Sequence, residues 1–261
     1  STLGIDGAEV THVWTDEPTD AELVSKVALI KNVVDKAEDV IGDVDAVLVA
    51  TDKGEQHVER CRPFVEAGIP IFVDKPLCDN RSDLAVFSKW VDGGHPLISS
   101  SAMRFAKEYM PYHRSTHELG KLEYINFTMA KSWETYGIHA LEAVYPIVGS
   151  GFISVQNTGN ANRNVLHLRH KDDIDINLVN IYDLAGGAGM MTLAGRQGGV
   201  QLRMADSYHA FKAQLTSFVN YLRTGAAPVP WAETKELMQL VIAGIESREA
   251  GGKPIYLKDL E

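Results

Sequence analysis

The chain is short of cysteine, of positive charge and of long apolar runs, and each shortage excludes something. Cys61 and Cys78 are its only cysteines. They stand in no metal-ligand or redox spacing, which fits a reducing cytoplasm. Lysine and arginine number 25 against 35 acids, a formal net charge of −10. That balance disfavours non-specific nucleic-acid binding, which needs a basic footprint. No apolar run approaches the roughly 18 residues of a membrane span. The start, STLGIDGAEV, shows no charged segment followed by an apolar core, so no signal peptide is expected. No cluster reads as a metal site. Most telling, no G-x-G-x-x-G turn stands anywhere near the front. GIDG at 4–7 has the wrong spacing and precedes a strand.

What is present is an alternation of strands and helices. AEVTHVWTD (8–16) reads as a strand ending in an acid, and DAELVSKVALI (20–30) as a helix opened by Asp20. VDAVLVA (44–50) is a short valine-rich run of the kind buried on both faces in parallel sheets. EQHVERCRPFVEA (55–67) reads as a helix closed by Gly68, and IPIFV (69–73) as the next strand. A helix at 81–92 and a strand at 95–101 follow. Strand, helix, strand within about 30 residues is a parallel crossover unit, so residues 1–100 predict a doubly wound, Rossmann-like α/β domain that lacks its usual beginning.

Beyond residue 100 the texture changes. A helix is expected at 106–119, a strand at 122–130 (LEYINFTMA) and a short helix around 138–148. Several strand-like pieces with short turns fill 152–206, and helices at 211–225 and 231–252 end the chain. Consecutive strands with short turns predict an open, mostly antiparallel sheet, so residues 101–261 read as an α+β domain.

In open α/β sheets ligands sit outside the carboxyl ends of the strands. Asp74 and Lys75 end the IPIFV strand, and Pro76 biases the Lys75 backbone toward the extended region. The lysine then projects into the crevice, where it can polarise a substrate hydroxyl while Asp74 stabilises its charge. The plainer alternative is a surface ion pair worth ~0–1 kcal/mol. His139, in WETYGIHALEAVYPIVG (133–149), is placed at a helix N-terminus, where a neutral ring able to accept a proton is favoured, with Glu142 on the same side. The alternative is a packing histidine. Asp16 reads either as the acid that binds the adenosine ribose, favouring NAD over NADP, or as a turn acid in TDEPTD. Thr51 and His57, after VDAVLV, are placed to contact a nicotinamide ribose or else to form a solvent-facing loop. Arg104, Trp133, Tyr136 and Arg163 are polar or aromatic candidates to line a substrate pocket, with packing as the alternative for each.

These pieces, in this order, resemble the Gfo/Idh/MocA oxidoreductases, the family of glucose–fructose oxidoreductase and inositol dehydrogenase. VDAVLVAT, a histidine-bearing helix and AGIPIFVDKP are similar to the family's strand, helix and E-K-P segment. MRFAKEY (103–109) followed by ELGKLEYINF (118–127) resembles its domain junction, GIHALEAVYPIVG its histidine helix, and APVPWAETKELMQLVIAGIESREAGGKPIYL its ending. The resemblance covers nearly the whole chain from about residue 8. It implies NAD(P)-dependent hydride transfer to or from a sugar, cyclitol or related hydroxy compound, and a homo-oligomer assembled through the C-terminal sheet. It puts Lys75 and His139 on the family's catalytic lysine and histidine. Asp74 stands for the usual glutamate, Thr135 for the aspartate four residues before the histidine, and TDK for T-P-N. With the missing glycine turn, these departures leave open a second reading: a catalytically inactive or regulatory binding protein that retains the fold.

Overall fold

The computed structural model describes residues 4–185 and 189–260. The first part alternates as the sequence predicts, with one strand, β2, that it does not: β1 (His12–Val13), α1 (Pro18–Ala28), β2 (Asn32–Val33), β3 (Val47–Val49), α2 (His57–Glu66), β4 (Ile71–Val73), α3 (Arg81–Asp92) and β5 (Leu97–Ser99). All its strand pairs are parallel. They form two hydrogen-bonded pieces, β1–β2 and β3–β4–β5. In the doubly wound order, the strand that carries the glycine-rich turn runs between the strands equivalent to β1 and β3, so the split falls where the sequence lacks that motif. Leu48, Val27, Leu29 and Val33 around this split are exposed.

The middle strand β4 is buried along its length. Its Ile71 and Val73 belong to the main core with Phe64 of α2 and Phe87 of α3. Phe72, on the opposite side, packs with Ile98 against Phe218, the two phenyl rings 5.5 Å apart. Phe218 belongs to α6 (Ser207–Thr224), so a helix from the far end of the chain covers the back of the parallel sheet.

The second part holds α4 (Met110–Arg114), β6 (Leu122–Ala130), α5 (Trp133–Val148), β7 (Phe152–Asn157), β8 (Arg163–His170), β9 (Asp175–Ile181), β10 (Met190–Gly195), β11 (Gly198–Arg203), α6, α7 (Trp231–Glu249) and β12 (Ile255–Tyr256). Its sheet runs β11-β10-β6-β9-β8-β7-β12. Among the described strands of this sheet only β6–β9 pair in parallel; its remaining pairs are antiparallel. Alternation sets the faces: Ile125, Phe127, Leu166, Leu168, Ile176 and Leu178 are fully buried, while Tyr124, Asn126, Val165 and Asn177 turn outward.

Two helices differ from their sequence expectation. The segment 106–119 is α-helical only at Met110–Arg114. Pro111 sits in its first turn, and Ser115 returns to extended backbone before a short 3-10 turn at His117–Leu119. Conversely α5 begins at Trp133, not 138, because the Ser132 side chain caps it by accepting from the Thr135 amide.

Trp133 fixes the placement of α5. It is fully buried, and its indole N–H donates to the Val241 carbonyl of α7 at 2.9 Å. Glycines meet the ring from both helices: a Cβ on Gly137 would lie 2.3 Å from it and one on Gly244 2.4 Å. Gly244→Ala would gain helix propensity of up to ~1 kcal/mol, yet overpacking costs ~1–3 kcal/mol. The expected result is a net loss and a melting temperature lower by about 2–5 °C, read by thermal denaturation.

Candidate active site

The site lies at the carboxyl ends of β3 and β4, where these face α5. Lys75 follows β4 directly and is only 7 % exposed. The Lys75–Pro76 peptide is cis. The lysine's nearest partner is not its neighbour Asp74 but Asp52, from the turn after β3: Lys75 Nζ donates to Asp52 Oδ1 at 2.9 Å and stands 3.6 Å from Asp74 Oδ2. The two acids differ in environment. The hydrogen bond from Lys75 holds the exposed Asp52 carboxyl below the usual carboxylate range. Burial pushes that of Asp74 up, against the pull of Lys75. Asp52 is thus the firm counter-ion.

Tyr136 of α5 forms the opposite wall. Lys75 Nζ lies 4.8 Å from its ring centroid and Lys131 Nζ 4.4 Å. Lys131 also donates to the Tyr136 hydroxyl at 2.9 Å. The His139 ring meets the same phenol edge-on, centroids 4.7 Å apart. Lys75 and His139, 64 residues apart in sequence, therefore flank one aromatic ring.

His139 is 8 % exposed. Because α5 starts at Trp133, the histidine lies in the second turn and not at the helix end. Burial, with the Lys75 charge adding to it, pushes its pKa down to about 3. The ring is neutral, as the sequence suggests, but for a different physical reason. Its Nδ1 is 2.6 Å from the Ser101 hydroxyl.

The other candidates fall in different places. Arg104 is taken up by two carboxylates, Glu142 of α5 and Glu233 of α7, the latter at 2.5 Å. Its charge ties α5 to α7. Glu142 is correspondingly remote in role from His139: it accepts from Arg104 and from the Ser101 amide. Trp133 is the packing residue described above. Arg163 is exposed at the start of β8 and makes none of the site's contacts. His57 is fully buried, and its two ring nitrogens lie 3.0 Å from the carbonyls of Leu77 and Thr51. It ties the turns after β3 and β4 together from behind and presents no nitrogen to a ligand. Thr135 bonds Ser132 at the helix cap, 2.8 Å, and not His139.

At the end of β1, Asp16 is exposed and bridged by Arg60 of α2, at 3.2 and 2.6 Å. That bond holds the Asp16 carboxyl low. The Arg60 guanidinium also lies 5.6 Å from the Trp14 ring. Sequence reasoning missed Asp52, Ser101 and Lys131. Only Asp52 left a trace, as an acid directly after a strand end.

A nicotinamide nucleotide can be tested against these residues. Thr51 Oγ1 is buried with no hydrogen-bond partner, and it sits at a strand's carboxyl end beside Asp52. Such an open hydroxyl fits a polar contact at the ribose or carboxamide end of the nucleotide. Asp16 suits an adenosine ribose. The sequence holds no glycine-rich turn for the pyrophosphate, so the fit concerns the two ends. Among the described residues, no group of three or more His, Cys, Asp or Glu is placed to hold a metal, and no helix is long and apolar enough to cross a membrane.

The fold thus joins a parallel, doubly wound part with a lysine at a strand end to an open, mostly antiparallel sheet whose helix carries a buried histidine. Residues 3–89 match the family model GFO_IDH_MocA, described as an oxidoreductase family with an NAD-binding Rossmann fold. A search of curated proteins finds no match. Solved structures share the fold along nearly the whole length. A probable dehydrogenase from Thermotoga maritima superposes with a TM-score of 0.85 at 16 % identity, covering 98 % of this chain and 94 % of that one. Myo-inositol 2-dehydrogenase from Lactobacillus plantarum gives 0.84 at 16 %, covering 97 % and 92 %. Scyllo-inositol dehydrogenase from Lactobacillus casei, with bound NAD(H) and scyllo-inositol, gives 0.82 at 13 %, covering 97 % and 93 %.

Proposed function

We propose that the protein is an NAD-dependent dehydrogenase acting on a secondary hydroxyl of a cyclitol or related sugar derivative. The observation that carries this reading is the convergence of Lys75, with Asp52 behind it, and His139 on the two sides of Tyr136 at the carboxyl end of the parallel sheet. A buried cation and a neutral imidazole on the two sides of one phenol ring can hold the oxygen of a carbinol as it gains alkoxide or carbonyl character. The nicotinamide, when bound, supplies the hydride acceptor or donor. Thr51 and Asp74 would border its ribose end and Asp16 the adenosine ribose. Tyr136 and Lys131 would border the substrate. The choice of a cyclitol is supported by the names of the structural relatives.

The test is fluorescence titration with NADH and NADPH, followed by initial rates on a panel of inositols and sugars with each oxidised cofactor. Asp16 leads us to expect NADH to bind tighter, by about tenfold (~1.4 kcal/mol). Asp16→Ala should remove most of that difference. Binding of neither nucleotide would sink the reading.

A further inference from the structure

Ser101 closes the corner after β5 and is fully buried. Its hydroxyl has two hydrogen-bond neighbours among the described residues. The Met103 amide lies at 3.1 Å and His139 Nδ1 at 2.6 Å. An amide N–H only donates, so the Met103 contact occupies a lone pair of Oγ. The hydroxyl's own proton then requires an acceptor, and the one in reach is the bare lone pair of His139 Nδ1. In the opposite arrangement Nδ1–H would donate to Oγ, and a buried hydroxyl proton would be left with no partner, which is unfavourable.

We infer that Ser101 is a positioning residue that holds His139 in the tautomer with its proton on Nε2, so that the ring meets the substrate oxygen as a neutral hydrogen-bond donor and not as a base. The catalytic half of this inference rests on the function proposed above; the tautomer itself rests on the buried contacts alone. The surroundings agree. Burial and the Lys75 charge disfavour a doubly protonated ring. A neutral imidazole donating to a carbonyl or alkoxide oxygen is a known catalytic device in triosephosphate isomerase.

Proton traffic then falls to Lys75. In alcohol oxidation Lys75 Nζ first gives up a proton to Asp52 Oδ1, 2.9 Å away, and the lone pair so freed then takes the proton of the substrate O–H as that bond breaks. Asp52 is exposed and returns that proton to water. In reduction the same path runs backwards. The His139 N–H bond stays intact in both directions.

The test is nitrogen-15 NMR of the full chain labelled at histidine, without substrate, the His139 signals being assigned by their loss in His139→Gln. The wild type is expected to show the Nε2–H form in excess by about tenfold or more, and Ser101→Ala to lower that ratio by about fivefold or more. An Nδ1–H ring in the wild type overturns the inference, and so does an unchanged ratio in Ser101→Ala. Should Ser101→Ala fail to fold, the wild-type tautomer decides by itself. The NADH titration separates the two failures: an Nε2–H ring in a protein that binds no nucleotide upholds the tautomer and removes the catalytic role built on it.

Discussion

Lys75→Met is expected to lower kcat by about a thousandfold, within the 10²–10⁴ range for losing a proton-transferring or charge-stabilising group, with little change in KM. Methionine keeps most of the lysine stem, so the buried wall beside Tyr136 stays filled and only the ammonium is lost. Asp52, the closer partner left behind, is largely exposed and rehydrates, and burial already favours the neutral form of Asp74, so the far-ultraviolet circular dichroism and melting temperature should stay close to wild type. The split between kcat and KM carries the argument. An ammonium that merely anchored the ground state would raise KM and spare kcat. Rates are measured with NAD and the best substrate of the inositol panel. A variant within threefold of wild type would show that the strand-end cation has no part in the chemistry. Lys75→Arg is expected to rescue poorly, because a wide guanidinium fork cannot take the compact place between Asp52 and the phenol face.

The residues that this result depends on were unequally legible in the sequence. Lys75 was readable because a short, fully apolar strand must end at the sheet's carboxyl edge, and the residue after it inherits that position. His139 was readable as part of an apolar helix, but the helix start was not. Trp133–Gly137 carry no apolar run of their own, and the Ser132 cap and the packing of Trp133 against α7 make them helical. β2 was missed because two exposed residues carry no periodic signal. The helix expected at 106–119 was over-read because local apolar spacing cannot weigh Pro111 against the extended turn at Ser115. Asp52 and Ser101 act on Lys75 and His139 across 23 and 38 residues of sequence. Such pairs follow from how the sheet corners meet, and no local pattern encodes them. Arg104 shows the converse. Its charge suggested a ligand contact, whereas its two acids, from α5 and α7, come from 38 and 129 residues away.

That buried triad gives the largest stability effect. Arg104→Met is expected to destabilise the protein by about 3–5 kcal/mol, the usual cost of leaving a buried charge without its partner, lowering the melting temperature by about 10 °C. Glu142 is almost completely buried. Burial holds its carboxyl above the usual range, opposed by Arg104, and loss of the guanidinium would push it higher. The sign of the pH dependence follows. With a folded pKa above the unfolded value of about 4.5, the folded state holds more protons between the two, and stability falls as pH rises through that window. The deficit of Arg104→Met should therefore be smaller at pH 5 than at pH 8, and thermal melts at the two values read it directly. Adding Glu142→Gln should recover much of the loss at pH 8, because the charge that lost its partner is gone; Glu233 is more exposed and can rehydrate. The same pair reaches the active site, since Glu142 also accepts from the Ser101 amide, and Ser101 holds His139. Arg104→Met should consequently broaden or split the His139 ring signals even at a temperature where the protein is fully folded, linking the stability of the domain junction to the orientation of the histidine. Sharp, unshifted His139 signals in a folded, destabilised variant would confine the triad to structural support.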